Sequence, residues 1–130
     1  RLVESAQYQS RINVFDFDVT TRRYSMSLTP GELIREYWTS STANVDGSFN
    51  LAGISDPVVD DLTEKLINSP NREEMVTAAR ALDRVLRFGH YWVPQWYKGT
   101  HTIAYWDQFG FPQKPRYDLP VATTWWAKDA

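Results

Sequence analysis

Asp16 and Asp18 stand two positions apart in the run FDFDVT, so on a strand both carboxylates would project from one face. Carboxylates paired in this way can do acid–base work or hold a cation. No histidine or third acid stands near them in sequence, and a solvated strand face carries the same pattern. His90 and His101 are the two histidines, and their spacing fits neither a zinc motif nor a flagged Ser-His-Asp arrangement. They read as structural residues. Glycines in AGISDP and TPGE follow neither GxGxxG nor P-loop spacing. The run RRYSMS offers different chemistry: two guanidinium groups, a phenol and two hydroxyls. Arg22 and Arg23 favour an anionic or carbonyl-rich group, and Tyr24 offers a stacking face with a hydroxyl. The competing reading is a solvated edge whose arginines pair with Asp16 or Asp18. No catalytic residue, metal ligand or cofactor is assigned, and these residues do not read as those of an enzyme.

Composition narrows the classes further. The absence of cysteine excludes thiolate catalysis, disulfides and thiolate metal sites. The net charge of -2 comes from 14 basic and 16 acidic residues without a basic run, which argues against a surface that tracks nucleic-acid phosphates. No apolar run reaches the ~20 residues that a membrane-spanning helix needs. Six tryptophans in 130 residues suit either a core or a contact surface, because Trp and Tyr supply large amphipathic areas. Trp92, Trp96 and Trp106 are expected to fill a core, and Trp125 and Trp126 to pack on a surface of a larger protein. The opening RLVESAQYQSRI, with no Met, reads as an internal stretch of that larger protein.

The elements that must position these residues are mixed α and β. Glu4 to Asn13 reads as a short helix started by Glu4 or Ser5. Phe15, Phe17 and Val19 alternate with Asp16, Asp18 and Thr20, the period of a half-buried strand. TPGE is a turn or helix start, and Leu33, Ile34, Tyr37 and Trp38 come next at helical spacing. Residues 40–53 read as an exposed polar loop. Asp56-Pro57 opens a helix to Asn68 with a stripe of Val58, Val59, Leu62, Leu66 and Ile67. Asn71 with Glu74 resembles a capping box before a helix from Glu73 to Phe88, ended by Gly89. These two helices are expected to pack on a sheet containing Phe15, Phe17 and Val19. Tyr91 to Tyr97 and HTIAYWDQF read as strands, the first at an edge because of Pro94. From Gly110 onward, Pro112, Pro115 and Pro120 argue against a packed element.

The order of these segments is familiar. FDFDVTTRRY, SFNLAGISDPVVDDLTEKLI, REEMVTAARALDRVLRFGHYWVPQWY and AYWDQF together resemble the C-terminal portion of family 5 extracellular solute-binding proteins of ABC importers, most closely the oligopeptide and microcin C branch. The resemblance covers nearly the whole chain. It implies an α/β fold made of part of the second lobe of a two-lobed, type II-like periplasmic binding protein. Residues 1–98 would belong to that lobe, and residues 99–130 would leave through the hinge and return to a first lobe outside this chain.

The function implied is capture of a peptide or peptide-like solute in the periplasm for delivery to a permease in the inner membrane. A signal peptide is expected in the preceding part, and no nucleic acid partner. In peptide-binding members the loop after the matching strand carries an Asp that pairs with the peptide's α-amino group. The matching position here is Ser27, which cannot neutralise an ammonium. The implied ligand-binding set is Arg23, Tyr24, Ser25, Ser27 and Trp38. Two other classes compete: a hydrolase using Asp16 and Asp18, and a carbohydrate-binding module using exposed tryptophans on a β-sandwich.

Overall fold

The first helix, α1 (Ser5–Asn13), opens where the Glu4 carboxylate accepts the backbone N–H groups of Ala6 and Gln7. Its C-terminal end sets the path of residues 15–17. Phe15 takes a left-handed backbone, φ 56°, and its N–H donates to the Ile12 carbonyl at 3.2 Å while that of Asp16 donates to Arg11 at 2.9 Å. This is a Schellman closure with phenylalanine in the place that glycine usually takes. The Asp16 carboxylate then accepts from Arg11 Nε at 2.7 Å, an ion pair across the closure. The expected strand over Phe15, Phe17 and Val19 is therefore absent. The N–H groups that a ladder would use already serve the helix end, Phe15 and Phe17 are half-buried, and Val19 is 89% exposed.

These features belong to a computed structural model that describes residues 2–24, 26, 29–97, 99–100, 102–114 and 121–128. The chain divides into two units, Arg1–Val93 and Pro94–Ala130. Both contain helix, and among the described residues the only sheet is a small antiparallel pair.

In the larger unit, α2 (Leu33–Trp38) runs into a 3-10 turn, Ser40–Thr42. The expected exposed loop over residues 40–53 is partly interior. Ala43 and Asn50 are buried, and Asn50 Nδ2 donates to the carbonyls of Thr39 at 3.1 Å and Ile54 at 2.9 Å while its Oδ1 accepts the Ile54 N–H at 2.9 Å. A single amide thus ties the start of the loop to its end.

The two long helices form as their caps indicate. α3 (Pro57–Ile67) opens with Asp56 Oδ1 accepting the Val58 N–H at 2.8 Å and Pro57 in the first turn, where an N–H would have no helical partner. α4 (Arg72–Phe88) opens with Asn71 Oδ1 accepting the Glu74 N–H at 3.0 Å, and Asn71 Nδ2 donates back to the Glu74 carboxylate at 2.8 Å. They pack on each other, and α3 also on α2, not on a sheet. The core joins Ile34, Tyr37 and Trp38 of α2 to Ile54, to Val59 and Leu66 of α3, and to Leu82 and Leu86 of α4. Gly89 caps α4, but the left-handed residue is His90, φ 53°. A Cβ on Gly89 would run into the Tyr91 ring, so close packing rather than backbone torsion calls for glycine there.

Beyond α4 the expected strand over Tyr91 to Tyr97 is absent as well. Pro94 has no N–H to offer a ladder, and Val93, Trp96 and Tyr97 are largely exposed. In the smaller unit, among the described residues of the second expected strand, only its last, Phe109, lies in a strand, β1 (Phe109–Gly110), with Phe109 opposite Ala127 and Gly110 opposite Trp126 of β2, Trp126–Ala127. His101 of that expected strand lies outside the described residues. The Lys128 N–H extends the pairing to the Gln108 carbonyl at 2.8 Å, and Lys128 Nζ meets the Asp107 carboxylate at 2.5 Å, which holds that carboxyl below its ordinary range. A short helix, α5 (Val121–Thr124), precedes β2. Trp125 stacks on Phe111 at 4.9 Å and meets Tyr105 edge-on at 4.8 Å, so it is an internal packing residue of its own unit. Trp96 and Trp106, expected in a core, are 86% and 81% exposed. Among the described residues no helix is long and apolar enough to cross a membrane.

Candidate functional site

An aromatic cluster receives the edge beyond Thr20. Tyr37 and Trp38 close α2, and Trp92 arrives from the turn beyond α4. Trp38 and Trp92 stack with ring centres 4.9 Å apart and planes 28° apart. Tyr24 lies against this stack, 4.9 Å from Trp38 and 6.2 Å from Trp92, and meets Tyr37 edge-on at 5.4 Å. Each such ring pair contributes about 0.5–1.5 kcal/mol beyond its buried area, enough together to hold an irregular segment in place. Burial pushes the Tyr24 phenol above its ordinary pKa, the Arg22 charge pulls it partly back, and Tyr37 adds to the rise.

The two arginines of the edge differ. The Arg22 guanidinium sits over the Phe49 ring, 5.0 Å from its centre, and Phe49 in turn lies 5.8 Å from Tyr37. Arg23 is exposed and, among the described residues, forms no ion pair. Of the expected alternative, an arginine of this edge paired with Asp16 or Asp18, Asp16 is taken by Arg11, and among the described residues no ion pair joins Arg22 or Arg23 to Asp18. Of the predicted ligand set, Tyr24 and Trp38 are brought together, Arg23 is adjacent in sequence, and Ser25 and Ser27 lie outside the described residues. Trp38 is 6% exposed, so its ring mainly backs Tyr24.

Sequence reasoning missed Phe49. The signal was present, an aromatic set alone among small polar residues in DGSFNLAG, but nothing in the pattern names its partner.

A separate open cleft of about 200 Å³ is lined by Arg35, Thr39, Ser41, Asp60 and Glu64. Its charged groups are already engaged. Arg35 donates to both oxygens of Glu64, at 2.6 and 2.7 Å, and also to Glu32, while Asp60 accepts the Ser40 N–H at 2.8 Å. The hydrogen bond from Arg35 holds the Glu64 carboxyl below its ordinary range, against a smaller effect of burial. This network clamps α2 to α3. Among the described residues no group of three or more His, Cys, Asp or Glu side chains is placed to hold a metal.

Comparison with known proteins adds the family. No family model matches the chain. A protein of Agrobacterium fabrum named "Probable peptide-binding protein YejA" is 45% identical over 131 residues, which covers 100% of this chain and 21% of that protein. The peptidoglycan-binding protein YepA of the same organism is 36% identical, covering 97% of this chain and 20% of its own length. YejA of Escherichia coli is 33% identical, again over 97% of this chain and 21% of its own length. The chain thus spans about a fifth of the length of the curated relatives it matches. Similarity thus runs end to end through the chain and matches a C-terminal portion of these proteins, two of them named for binding, which supports reading the chain as part of a solute-binding protein.

Proposed function

We propose that this chain forms part of the second lobe of a two-lobed substrate-binding protein of an ABC importer, which captures a peptide or peptide-like solute in the periplasm. The observation that carries this reading is the 45% identity, along the whole chain, to a protein named as peptide-binding. The site assigned to it is the edge Arg23, Tyr24, Ser25 and Ser27, backed by Trp38. Its partners are the other lobe of the same protein and a permease in the inner membrane. A guanidinium beside an accessible phenol suits the carbonyl and carboxylate groups of a peptide, bound by charge-assisted hydrogen bonds. The hydrolase reading loses its main feature, since Asp16 is engaged at the end of α1. A sugar-binding β-sandwich has no counterpart among the described residues, whose one sheet has two strands of two residues each.

The test is Arg23→Ala in the full-length protein, with melting temperature and affinity for a synthetic library of short peptides measured on the same variant. An exposed arginine contributes at most ~1 kcal/mol to folding, so melting should be nearly unchanged. A charge-assisted contact to ligand is worth about 1.5–3 kcal/mol, so affinity should fall roughly ten- to hundredfold. Unchanged affinity removes Arg23 from the site.

A further inference from the structure

We infer that Arg22 is a positioning residue for this edge, acting through Phe49 rather than through the solute. The inference rests on the proposed binding role of Arg23 and Tyr24 and assigns their neighbour a different task. The Arg22 guanidinium lies 5.0 Å from the centre of the Phe49 ring, Phe49 lies 5.8 Å from Tyr37, and Tyr37 meets Tyr24 edge-on at 5.4 Å. A chain of contacts therefore leaves the edge at residue 22, crosses the residue 40–53 loop and the end of α2, and returns to the edge at residue 24. Phe49 is set beside Asn50, whose three hydrogen bonds fix that part of the loop, so the strap is tied to a rigid point. Closing the loop on both sides of Arg23 limits where its backbone can go. A ligand-facing arginine held in this way loses less freedom on binding, which raises affinity without adding a contact.

The experiment uses the full-length protein and two readouts. Acetylation of Tyr24 by N-acetylimidazole, read by mass spectrometry, reports how firmly the phenol is held without any ligand. Affinity for the same short-peptide library reports the consequence. Arg22→Met and Phe49→Leu should each raise Tyr24 labelling and lower affinity by about two- to fivefold, the range a cation–π contact at an exposed site supplies. The double variant should be no worse than either single one, and Arg22→Lys and Phe49→Tyr should restore most of the loss. Melting temperatures should stay close to that of the parent. Unchanged Tyr24 labelling in Arg22→Met overturns the inference whatever the ligand does. So does a double variant whose loss is the product of the two single losses, because Arg22 would then meet the solute directly. If Arg23→Ala weakens binding and Arg22→Met does not, the inference fails while the proposed function stands. If neither variant changes affinity, both fall.

Discussion

Asn50 is 1% exposed and uses both ends of its amide, donating to Thr39 and Ile54 and accepting from Ile54. Asn50→Ala would take from the buried Ile54 N–H and C=O the partners they have here, at about 1–3 kcal/mol each before relaxation, while the Thr39 carbonyl keeps the Thr42 N–H and hydroxyl. The expected loss is about 2–4 kcal/mol, read as a fall in urea midpoint at constant slope. Asn50→Asp tests the same bonds by charge. Two carbonyl oxygens face the position of its Nδ2, so the folded state would keep the carboxyl protonated and raise its pKa. The variant's deficit should then be smallest below the ordinary carboxylate value of about 3.9 and grow as pH rises through the folded one. A deficit that does not depend on pH would contradict this geometry. Nothing in the sequence pointed to Asn50, because a polar residue in a polar loop looks solvated until the carbonyls around it are located.

Among the elements, α3 and α4 were the most legible, since each carries a cap, an apolar stripe of helical period and a stop. Observed bounds fall within one residue of the expected ones at both ends, with Asn68 capping α3 and Arg72 joining α4. Leu82 lies on the stripe of α4 and is buried in the core, so Leu82→Ala should cost about 2–5 kcal/mol. A thermal shift near zero would mean that the stripe faces elsewhere. The strands were less legible for a specific reason. Alternation of apolar and acidic residues from Phe15 describes a half-exposed segment, but a strand also needs a neighbour to accept its N–H groups, and here the end of α1 takes them first. Phe15 in a left-handed turn carries no recognisable signal, because that place usually belongs to glycine. At the candidate site, Tyr24 and Trp38 could be chosen from residue type, whereas the Phe49 link could not, since it joins residues far apart in sequence.

At the scale of the whole molecule, the match to about a fifth of each relative sets the expectation for binding. A clamp that closes on a solute from two sides loses roughly half its contacts, and all of its closure, when one side is removed. On the proposed function, this chain alone should bind the short-peptide library at least ~100-fold more weakly than the full-length protein does. Calorimetry on both forms checks this, and equal affinities would confine the binding site to these 130 residues. The exposed rings of Trp96, Tyr97 and Trp106 agree with the length comparison, because large apolar side chains left in water commonly mark a surface that something else covers.

The stacked pair Trp38 and Trp92 is also a pair of chromophores. Two indoles 4.9 Å apart with planes 28° apart are close enough to couple their electronic excitations, and coupled transitions whose dipoles are skewed are optically active with opposite signs. The expected result is a built-in spectroscopic label, a circular-dichroism couplet beside the segment that holds Tyr24. Replacing either tryptophan with phenylalanine should abolish both lobes at once, whereas losing an isolated indole would remove one band. A solute that shifts this edge would be visible in the spectrum of the unlabelled protein.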